Sequence, residues 1–312
     1  DGAPLSRPRA GQFVSVRMPD GNGAWITRTW SLSEYSESTR TYRITVHRRG
    51  GAGSQRIHAS ARGDIVHLRS PSGAFTLDMS GFKPVILVAA GIGITPLLAM
   101  LQAHLSRPHP PPVYLFYGAR SPDHAAFREE LQRLAATHPR FHLTFVYSRT
   151  GDEAQPPRRI SAEWLIEQLS DLSVELGGHR VPVPWYENDT YLCGPGDFCT
   201  GLRQALAARG ANADRVFSES FIAVEAAASP LPHARVRFAR SGICADWHAA
   251  QDLSLLELAE RAGLEPPHDC RAGACLTCRS PLLAGTTTAD LGDGSALICV
   301  GRPASAELEL DI

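Results

Sequence analysis

Four cysteines near the carboxyl end of the chain have the type and spacing of iron ligands. Cys270, Cys275 and Cys278 form a C-x4-C-x2-C pattern, and Cys299 follows after twenty further residues. This is the plant-type spacing for a [2Fe–2S] cluster held by four thiolates. The small residues between the first two cysteines allow a tight loop whose backbone N–H groups point at the sulfurs. The spacing therefore predicts a [2Fe–2S] cluster.

Zinc and disulfides are the two alternatives for these cysteines. A structural zinc site usually has two C-x2-C pairs, whereas this chain has one such pair beside a C-x4-C pair. Disulfides are disfavoured because the chain has seven cysteines, an odd number at low density.

Length and charge limit the class of protein. A chain of 312 residues exceeds what one hydrophobic core usually supports, so two or three domains are expected. The 31 basic and 32 acidic residues give no reason to expect nucleic acid or a membrane surface as a partner. No apolar run approaches the ~20 residues that cross a bilayer, and no signal-peptide pattern is present. An iron–sulfur motif with unpaired cysteines indicates a reducing cytoplasm.

The first eighty residues alternate short β-patterned runs with glycine- and proline-rich turns. Such spacing predicts a small antiparallel barrel over residues 1–80. The glycine loop at 50–53 is expected to lead into a helix over Ser54–Ala61. The expected strands are Gln12–Met18, Trp25–Leu32, Arg40–His47, Asp64–Ser70 and Phe75–Asp78.

The second expected strand contains the run Arg28-Thr29-Trp30-Ser31-Leu32. It resembles the R-x-[aromatic]-S-L stretch of the ferredoxin reductase family, in which the Arg meets a flavin phosphate and the next residues line the isoalloxazine ring. The residue types suit those roles, since Arg offers a bidentate fork and Ser31 is small enough to approach the reactive ring nitrogen. Trp30 stands where Tyr is usual, which leaves the phenol hydrogen bond of the family open. An ordinary barrel strand with an exposed Arg is the alternative.

The glycine loop before the first helix suits a phosphate. Gly53 and Ser54 stand where this loop enters the helix, and backbone N–H groups there can bind an anion. His47, Arg48 and Arg49 precede the loop and can add positive charge, although a solvated basic turn is the alternative for at least one of them.

From Val85 onwards the pattern changes to buried strands alternating with helices. Val85–Ala90 is a continuous apolar run, as expected for a parallel strand buried on both faces. It ends at Gly91-Ile92-Gly93-Ile94-Thr95-Pro96, with Thr95 as the expected N-cap and Pro96 at the first helical position. Pro96 replaces the third glycine of G-x-G-x-x-G, and the turn instead resembles the G-x-G-x-T-P turn of the ferredoxin reductase family's nicotinamide domain. Gly91, Gly93, Thr95 and Pro96 are expected to bind the pyrophosphate.

Four further strands follow, each after a connecting segment, and predict a doubly wound parallel sheet. Ligands bind such sheets at the carboxyl ends of the strands. Several polar or glycine-rich segments fall at that edge. They are Gly91, Tyr117–Arg120, Ser148-Arg149 and Cys193–Gly196.

Two of the later motifs resemble nicotinamide-facing residues of the same family. Cys193-Gly194-Pro195 resembles the C-G-P motif, whose thiol lies against the nicotinamide, with a small buried Cys as the alternative. Glu219-Ser220-Phe221 closes the domain, and Phe221 resembles the family's Phe that covers the flavin ring until nicotinamide displaces it.

The remaining residues predict a linker and a ferredoxin-type domain. Residues 226–233 are a linker by composition, and the following strand–strand–helix order with a closing strand is the β-grasp pattern of plant-type ferredoxins. The expected fold is thus multidomain, with an antiparallel flavin barrel, a doubly wound α/β nicotinamide domain and a β-grasp domain. The expected bounds are 1–80, 81–225, 226–233 and 234–312.

The order flavin, nicotinamide, cluster resembles the reductase family of which phthalate dioxygenase reductase is a member. The resemblance implies that hydride passes from NAD(P)H to a flavin, and that electrons leave singly through the cluster. It favours FMN over FAD and implies an electron acceptor: an oxygenase component, or a fused upstream domain such as a MOSC domain. Cys193, Phe221 and Ser31 would then act at the reacting rings.

Two questions stay open at the level of sequence. The chain could be a redox-sensing module that holds a flavin and a cluster without steady turnover. The choice between NADH and NADPH is also open, because several arginines are possible partners of a 2′-phosphate and equally possible solvated side chains. They are Arg120, Arg149, Arg158 and Arg159.

The start of the chain leads to one more expectation. Only eleven residues precede Gln12, and Pro4 and Pro8 make them a poor strand, since proline cannot donate to a ladder. A barrel without its first strands would leave edges unpaired. We therefore expect the chain to be a fragment whose upstream part completes the barrel and can carry the electron-accepting domain.

Overall fold

The computed structural model describes residues 5–19, 25–36, 40–48, 52–149, 157–221, 227–269, 271, 273 and 276–312. The chain divides into two compact units. The first contains Asp1–Ile26 and Trp30–Phe221, and the second contains Thr27–Thr29 and Ile222–Ile312. Each unit is described by itself below.

A small antiparallel sheet begins the chain. Its strands are β1 (Phe13–Pro19), β2 (Trp25–Ser31) and β3 (His67–Leu68), and the short helix α1 (Ala52–His58) lies between β2 and β3 in the sequence. The strand order is β2-β1-β3, and β1 pairs with β3 in antiparallel register. Val14, Val16 and Leu32 form its buried centre. This sheet is the part of the expected barrel that the described residues show.

Two of the expected barrel strands are not strands in the structure. Within residues 40–48, Ile44 makes only an isolated bridge to Leu32. Residues 75–78 form a connecting segment because Leu77 packs into the core of the following α/β layer. The backbone N–H of Asp78 donates to the hydroxyl of Tyr191 at 3.1 Å, which further commits this segment to the α/β layer.

The middle of the chain forms five parallel strands with intervening helices. In strand order the sheet is β10-β9-β4-β5-β6, and every pairing within it is parallel. The elements in chain order are β4 (Val85–Ala90), α2 (Ile94–Leu105), β5 (Val113–Ala119), α3 (Arg128–Thr137), β6 (Phe141–Tyr147), α4 (Ala162–Gln168), β7 (Ser173–Leu176), β8 (His179–Pro182), β9 (Asp189–Gly194), α5 (Gly196–Ala207) and β10 (Val216–Ser220).

The central strand β4 is buried on both faces. Leu87 and Ala89 pack with α2 and with Leu131 of α3, whereas Ile86 and Val88 pack against α4 and α5. Successive side chains of a strand point to opposite faces, so helices cover both sides of the sheet. This explains the unbroken apolar run in the sequence and confirms the doubly wound arrangement.

One hairpin was not predicted from the sequence. Strands β7 and β8 pair in antiparallel register through the two-residue turn Gly177-Gly178, at φ values of 58° and 80°. Two consecutive positive φ values are the requirement of a tight hairpin turn, and glycine satisfies it without steric cost.

The second unit contains a mixed sheet of five strands and one helix. Its elements are β11 (His233–Phe238), β12 (Ile243–His248), α6 (Leu255–Arg261), β13 (Arg279–Ala284), β14 (Ser295–Leu297) and β15 (Glu307–Leu310). The order is β12-β11-β15-β13-β14, with β11 parallel to β15 and the other pairs antiparallel. This is the expected β-grasp arrangement.

Helix α6 and the core of this unit have clear local causes. Ser254 and Glu257 form a reciprocal capping box at the start of the helix. Trp247 and Phe238 are almost fully buried, and the indole Nε1 of Trp247 donates to the carbonyl of Leu253 at 2.7 Å. None of the helices in the described ranges is long and apolar enough to cross a membrane.

Candidate functional site

The carboxyl edge of the parallel sheet brings together residues from neighbouring strands. In the strand register, Cys193 of β9 lies between Ala89 of β4 and Glu219 of β10. Gly118 of β5 pairs with Ala90, so the ends of β4, β5, β9 and β10 meet at this edge. The sequence motifs at Gly91 and Cys193 are therefore adjacent in space, as expected for a ligand site at the carboxyl end of such a sheet.

Glycines at this edge allow the backbones to approach closely. A Cβ added to Gly93 would lie 2.1 Å from the carbonyl oxygen of Cys193, and one added to Gly194 would lie 2.8 Å from the Cβ of Ala90. Gly91 has a φ of 57°, a conformation that disfavours residues with a side chain. The turn therefore leaves an uncrowded backbone surface before α2, which suits a pyrophosphate.

The predicted N-cap of α2 was wrong. Gly93 is the N-cap, and Thr95 lies inside the first turn, where its hydroxyl donates to the carbonyl of Ile92 at 3.0 Å. Thr95 and Pro96 are both buried, so they shape the turn from behind. The glycine turn leads into the helix without a side chain that caps it.

Cys193 and Glu219 form a buried pair of titratable groups. Burial raises the pKa of the Cys193 thiol well above its ordinary value, and the neighbouring Glu219 raises it further. Glu219 as a residue is half-buried, but its Oε2 atom is shielded from solvent and has no hydrogen-bond partner in the described part of the chain. Burial raises the pKa of Glu219 to about 8, so its carboxyl is mostly protonated at neutral pH.

Glu219 was not among the site residues expected from the sequence. Its side chain belongs to the same edge as Cys193, and its backbone carbonyl accepts a weak hydrogen bond from the Cys199 thiol at 3.4 Å. An acidic residue at the end of a buried parallel strand is unusual. Its position in the sequence could therefore have indicated a functional residue.

The other expected nucleotide residues lie around this edge. Arg120 is exposed directly after β5, and Pro195 is exposed at the start of α5. Phe221 follows β10, and 39% of its surface is exposed. An accessible aromatic ring at this position is compatible with stacking on a planar ligand, and its role stays a prediction.

The expected flavin-binding run lies on β2. Arg28 is exposed, and its Nη1 atom donates to the carbonyl of Thr27 at 2.7 Å. Trp30 packs against the buried cluster of β1, whereas Ser31 is itself buried. Thr29 between them is half-buried. The guanidinium thus remains available to an anion, while Trp30 and Ser31 are held by the sheet.

The glycine loop before α1 is only partly described. Gly50 and Gly51 lie outside the described residues, whereas Gly53 is buried inside α1. The hydroxyl of Ser54 donates to the carbonyl of His47 at 2.9 Å. Helix α1 begins at Ala52, two residues before the predicted start, so Ser54 lies within the helix. Its hydroxyl links α1 to the basic segment before the loop.

A polar network connects the residues after β2 to the α/β layer. Arg43 forms an ion pair with Glu130 of α3 at 3.2 Å and donates to the backbone carbonyl of Ser33. Glu130 also accepts from Gln102 of α2 at 2.9 Å, and Gln102 accepts from the backbone N–H of Tyr35 at 2.8 Å. The segment that follows β2 is therefore fixed to both helices. This network was not predicted from the sequence.

The predicted cluster ligands are described in part. Cys270 and Cys275 lie outside the described residues, whereas Cys278 and Cys299 are buried. The backbone N–H of Ile298 donates to the carbonyl of Cys278 at 3.4 Å, so the two ligand segments are neighbours. The N–H of Gly273 donates to the Sγ of Cys299 at 3.2 Å. A buried sulfur that accepts from a backbone N–H group fits a ligand of an anionic iron–sulfur cluster.

An ion pair ties this loop to α6. Arg271 has a φ of 53°, and its guanidinium donates to both carboxylate oxygens of Glu260, one of them at 2.9 Å. The Nη2 atom of Arg271 also lies 2.9 Å from the Nε2 of His268. Arg271 lowers the pKa of the Glu260 carboxyl through these hydrogen bonds. The loop residue next to Cys270 is therefore held by a helix of the core.

Two family models match this chain, one within the α/β layer and one within the second unit. A model described as an oxidoreductase NAD-binding domain matches residues 87–204, and one described as a 2Fe-2S iron-sulfur cluster binding domain matches residues 246–304. The heme-dependent oxidative N-demethylase beta subunit of Ectopseudomonas mendocina is 33% identical over 313 residues, covering 97% of this chain and 89% of that one. The ferredoxin reductase component of 3-ketosteroid-9-alpha-monooxygenase from Mycobacterium tuberculosis is 29% identical, covering 96% and 84%.

Solved structures extend this similarity to the whole fold. Phthalate dioxygenase reductase, described as transferring electrons from pyridine nucleotides to [2Fe–2S], is 28% identical with a TM-score of 0.62 and covers 100% of this chain and 90% of its own. An intact type IV self-sufficient cytochrome P450 monooxygenase is 25% identical with a TM-score of 0.71. This chain spans only 38% of that monooxygenase.

The fold, the two matching family models and the similarity to phthalate dioxygenase reductase define a flavin-dependent NAD(P)H oxidoreductase with an iron–sulfur domain. The chain belongs to the ferredoxin reductase-like flavoproteins with a C-terminal plant-type [2Fe–2S] domain, the family of phthalate dioxygenase reductase. The predicted family, fold class, enzyme class and cofactors are thereby confirmed. The choices between FMN and FAD and between NADH and NADPH stay predictions, as do the individual site residues and domain bounds.

Proposed function

We propose that this chain is the reductase component of an oxygenase system and that the residues described above divide into three binding sites. The observation that carries the proposal is the meeting of Gly93, Cys193 and Glu219 at one sheet edge, in a chain that also buries Cys278 and Cys299. When bound, the flavin supplies the exchange between a two-electron hydride donor and a one-electron cluster.

The flavin site is assigned to the first domain, residues 1–80. Arg28 binds the flavin phosphate, with the N-terminal part of α1 at Gly53 and Ser54 as a second phosphate contact. Thr29, Trp30 and Ser31 line the ring, and the packing of Trp30 on β1 fixes their orientation. FMN is proposed in preference to FAD, because relatives with a C-terminal ferredoxin domain often use FMN.

The nicotinamide nucleotide site is assigned to the second domain, residues 81–225. Gly91 and Gly93, with Thr95 and Pro96 behind them, hold the pyrophosphate at the start of α2. Gly194, Pro195 and Arg120 border the bound nucleotide along the same edge. Phe221, with 39% of its surface exposed, would stack against the flavin ring, as the family resemblance implies.

Cys193 and Glu219 orient the nicotinamide. The thiol is neutral because burial raises its pKa, so it packs against the ring as a small uncharged group. The protonated Glu219 carboxyl offers an O–H donor beside it, which suits the carbonyl oxygen of the nicotinamide carboxamide.

The cluster site is assigned to the last domain, residues 234–312, joined by the linker 226–233. Cys270, Cys275, Cys278 and Cys299 are the ligands, and the N–H of Gly273 at the Cys299 sulfur would stabilise the negative charge of a bound cluster. Cys278 and Cys299 are shielded from bulk water, which limits side reactions of the thiolates.

The acceptor of the electrons is proposed to be an oxygenase component in the cytoplasm. Support comes from two relatives that are named as parts of a demethylase and a monooxygenase. A fused upstream domain is the alternative form of the same partner, since a similar module is part of a self-sufficient monooxygenase. A MOSC domain rests on family resemblance alone. Thiolate ligands agree with a reducing compartment.

Anaerobic steady-state oxidation of NADPH and of NADH tests the proposal, with ferricyanide and then cytochrome c as the acceptor and purified protein loaded with flavin and cluster. A reductase oxidises at least one coenzyme through many turnovers with both acceptors. Coenzyme oxidation that stops once the flavin and the cluster are reduced, at about 1.5 equivalents of coenzyme, would contradict the proposal and support a redox-sensing module instead.

A further inference from the structure

We propose that His233 and His248 form a binding site for a divalent transition metal ion on the second unit of the chain. The two residues belong to neighbouring strands, since His233 of β11 is paired directly with His248 of β12 in the antiparallel register. Their ring centroids lie 4.7 Å apart, and the two rings are tilted by 44°. The site is separate from the electron-transfer chemistry proposed above.

The distance between the two rings matches two imidazoles on one metal ion. A bond from a metal to a histidine nitrogen is about 2.0–2.1 Å long, which places the metal roughly 3.2 Å from the ring centroid. Two such ligands at a square or tetrahedral angle therefore have centroids roughly 4.5–5.2 Å apart. The 4.7 Å between His233 and His248 lies within this range, and the tilt shows that the rings are not stacked face to face.

Asp246 adds a carboxylate beside the histidine pair. Its Oδ1 atom lies 3.4 Å from the Nε2 atom of His233. A histidine that binds a metal through one ring nitrogen usually donates its other N–H to a carboxylate, which fixes the tautomer and the orientation of the ring. Because Nε2 of His233 faces Asp246, the Nδ1 atom of this ring is the metal ligand. Asp246 is thus a positioning residue.

The histidine pair lies on the solvent face of the sheet. The side chains of His233 and Asp246 are 50% and 66% exposed, and His248 is exposed as well. The neighbouring residues along the two strands, such as Ala234 and Trp247, are buried in the core. Successive side chains of a strand point to opposite faces, so this burial keeps the histidines outside. The described residues offer the ring of His248 no hydrogen-bond partner.

The chemistry of the ligands indicates the class of metal. Imidazole suits Zn²⁺, Ni²⁺ and Cu²⁺, whereas Mg²⁺ prefers oxygen ligands. With Asp246 in an outer position, the protein supplies two ligands and water completes the coordination. This agrees with the finding that the described residues contain no larger group of His, Cys, Asp or Glu side chains that could hold a metal. Arg235 lies opposite Asp246 and beside Glu307 of β15, so the charges of this face are mixed.

Calorimetric titration of Zn²⁺ and of Mg²⁺ into the holoprotein tests the proposal, at about pH 7.5 because metal-binding histidines must be deprotonated. The cluster then occupies its own cysteine ligands, and its absorbance is followed so that any loss is detected. The variants are His233→Ala, His248→Ala and Asp246→Asn. His179→Ala is the control, because His179 is an exposed histidine on β8. Cys244→Ser is a second control, because Cys244 is exposed on the same strand and thiols also bind zinc.

We expect the wild type to bind Zn²⁺ but not Mg²⁺. Each histidine variant should weaken the binding of Zn²⁺ by at least about tenfold, and Asp246→Asn should weaken it by about tenfold through the orientation of His233. Zn²⁺ should raise the thermal midpoint of the wild type, and it should raise that of the two histidine variants less. His179→Ala and Cys244→Ser should match the wild type in both measurements.

Three results would overturn the inference. The first is a zinc affinity that neither histidine variant changes, and the second is one that Cys244→Ser removes. The third is a wild type that does not bind Zn²⁺ even at millimolar concentration, in which case the two rings are neighbours without a ligand. None of these results depends on coenzyme oxidation, so the proposed function is tested separately.

Discussion

Glu219 and Cys193 face each other across neighbouring parallel strands at the edge of the sheet. At neutral pH the thiol is neutral and the carboxyl is mostly protonated, because burial raises the pKa of the thiol and raises that of the carboxyl to about 8. An acid kept neutral by burial beside a buried thiol lowers the stability of the fold. A carboxyl group that burial keeps protonated is a common feature of sites where a side chain must donate a hydrogen bond.

The Glu219 carboxyl should make folding stability depend on pH. Its pKa is about 8 in the folded chain and near 4.5 in the unfolded chain, so the folded state binds more protons between these values. With respect to this group, the free energy of unfolding is highest below pH 4.5. It falls as the pH rises towards 8, by at most about 1.4 kcal/mol per pH unit. Urea unfolding at pH 5.5 and 8.5 measures it.

The matched control for this titration is Glu219→Gln, which has the same shape and no charge. Between pH 5.5 and 8.5, the free energy of unfolding should fall more for the wild type than for the variant. Parallel pH profiles for the two proteins would show that Glu219 is ionised in the folded state at neutral pH, and would contradict a protonated carboxyl at this edge.

Cys193 should affect hydride transfer more than nucleotide binding. Replacing it with Ala leaves a gap against the reacting ring, so flavin reduction at saturating coenzyme should slow by about tenfold, while the apparent coenzyme affinity changes little. Stopped-flow absorbance at the flavin band measures both quantities. Cys199→Ala is the control, because Cys199 is also buried but lies on α5. Equal effects of the two substitutions on flavin reduction would show that Cys193 contributes only to packing.

Arg28 should act through flavin retention. Arg28→Ala removes a charge-assisted phosphate contact worth ~1.5–3 kcal/mol, which is about one to two decades of affinity. Gel filtration of a dilute sample should strip flavin from this variant but not from the wild type or from Arg133→Ala. Full flavin occupancy after desalting would reject the assignment of Arg28 to the phosphate.

Glu130 should hold the segment after β2 in place. Glu130→Ala leaves Arg43 and Gln102 without their shared partner, so the urea midpoint should fall by the equivalent of about 1–2 kcal/mol. The neighbouring Glu129 is 91% exposed and pairs with Arg133 at 4.0 Å, so Glu129→Ala should change stability very little. If both substitutions have the same small effect, the network does not contribute to stability.

The parts of the fold with strong local signals were predicted from the sequence. The apolar run of β4 and the two glycines after it specify a buried strand and a tight turn by composition alone, whereas the binding of a phosphate at this turn stays a prediction. Strand β4 has the predicted bounds Val85–Ala90. The cysteine spacing specifies the cluster in the same way.

The parts that depend on distant contacts were not predicted. Arg43 and Glu130 are 87 residues apart, and nothing local marks them as partners. The neutral state of Glu219 follows from burial at the sheet edge, which its sequence neighbours do not reveal. The β7–β8 hairpin differs, since the Gly177-Gly178 pair is a local turn signal in the sequence.

The central claim is that electrons pass from the coenzyme to the flavin and leave through the cluster. It is tested most directly by anaerobic stopped-flow reduction of wild type and Cys275→Ser, followed at the flavin and iron–sulfur bands. Cys275→Ser should lose the iron–sulfur absorbance and cytochrome c reduction, yet its flavin should be reduced at nearly the wild-type rate. A folded Cys275→Ser variant, as judged by circular dichroism, whose flavin is no longer reduced would contradict the proposed order of electron flow.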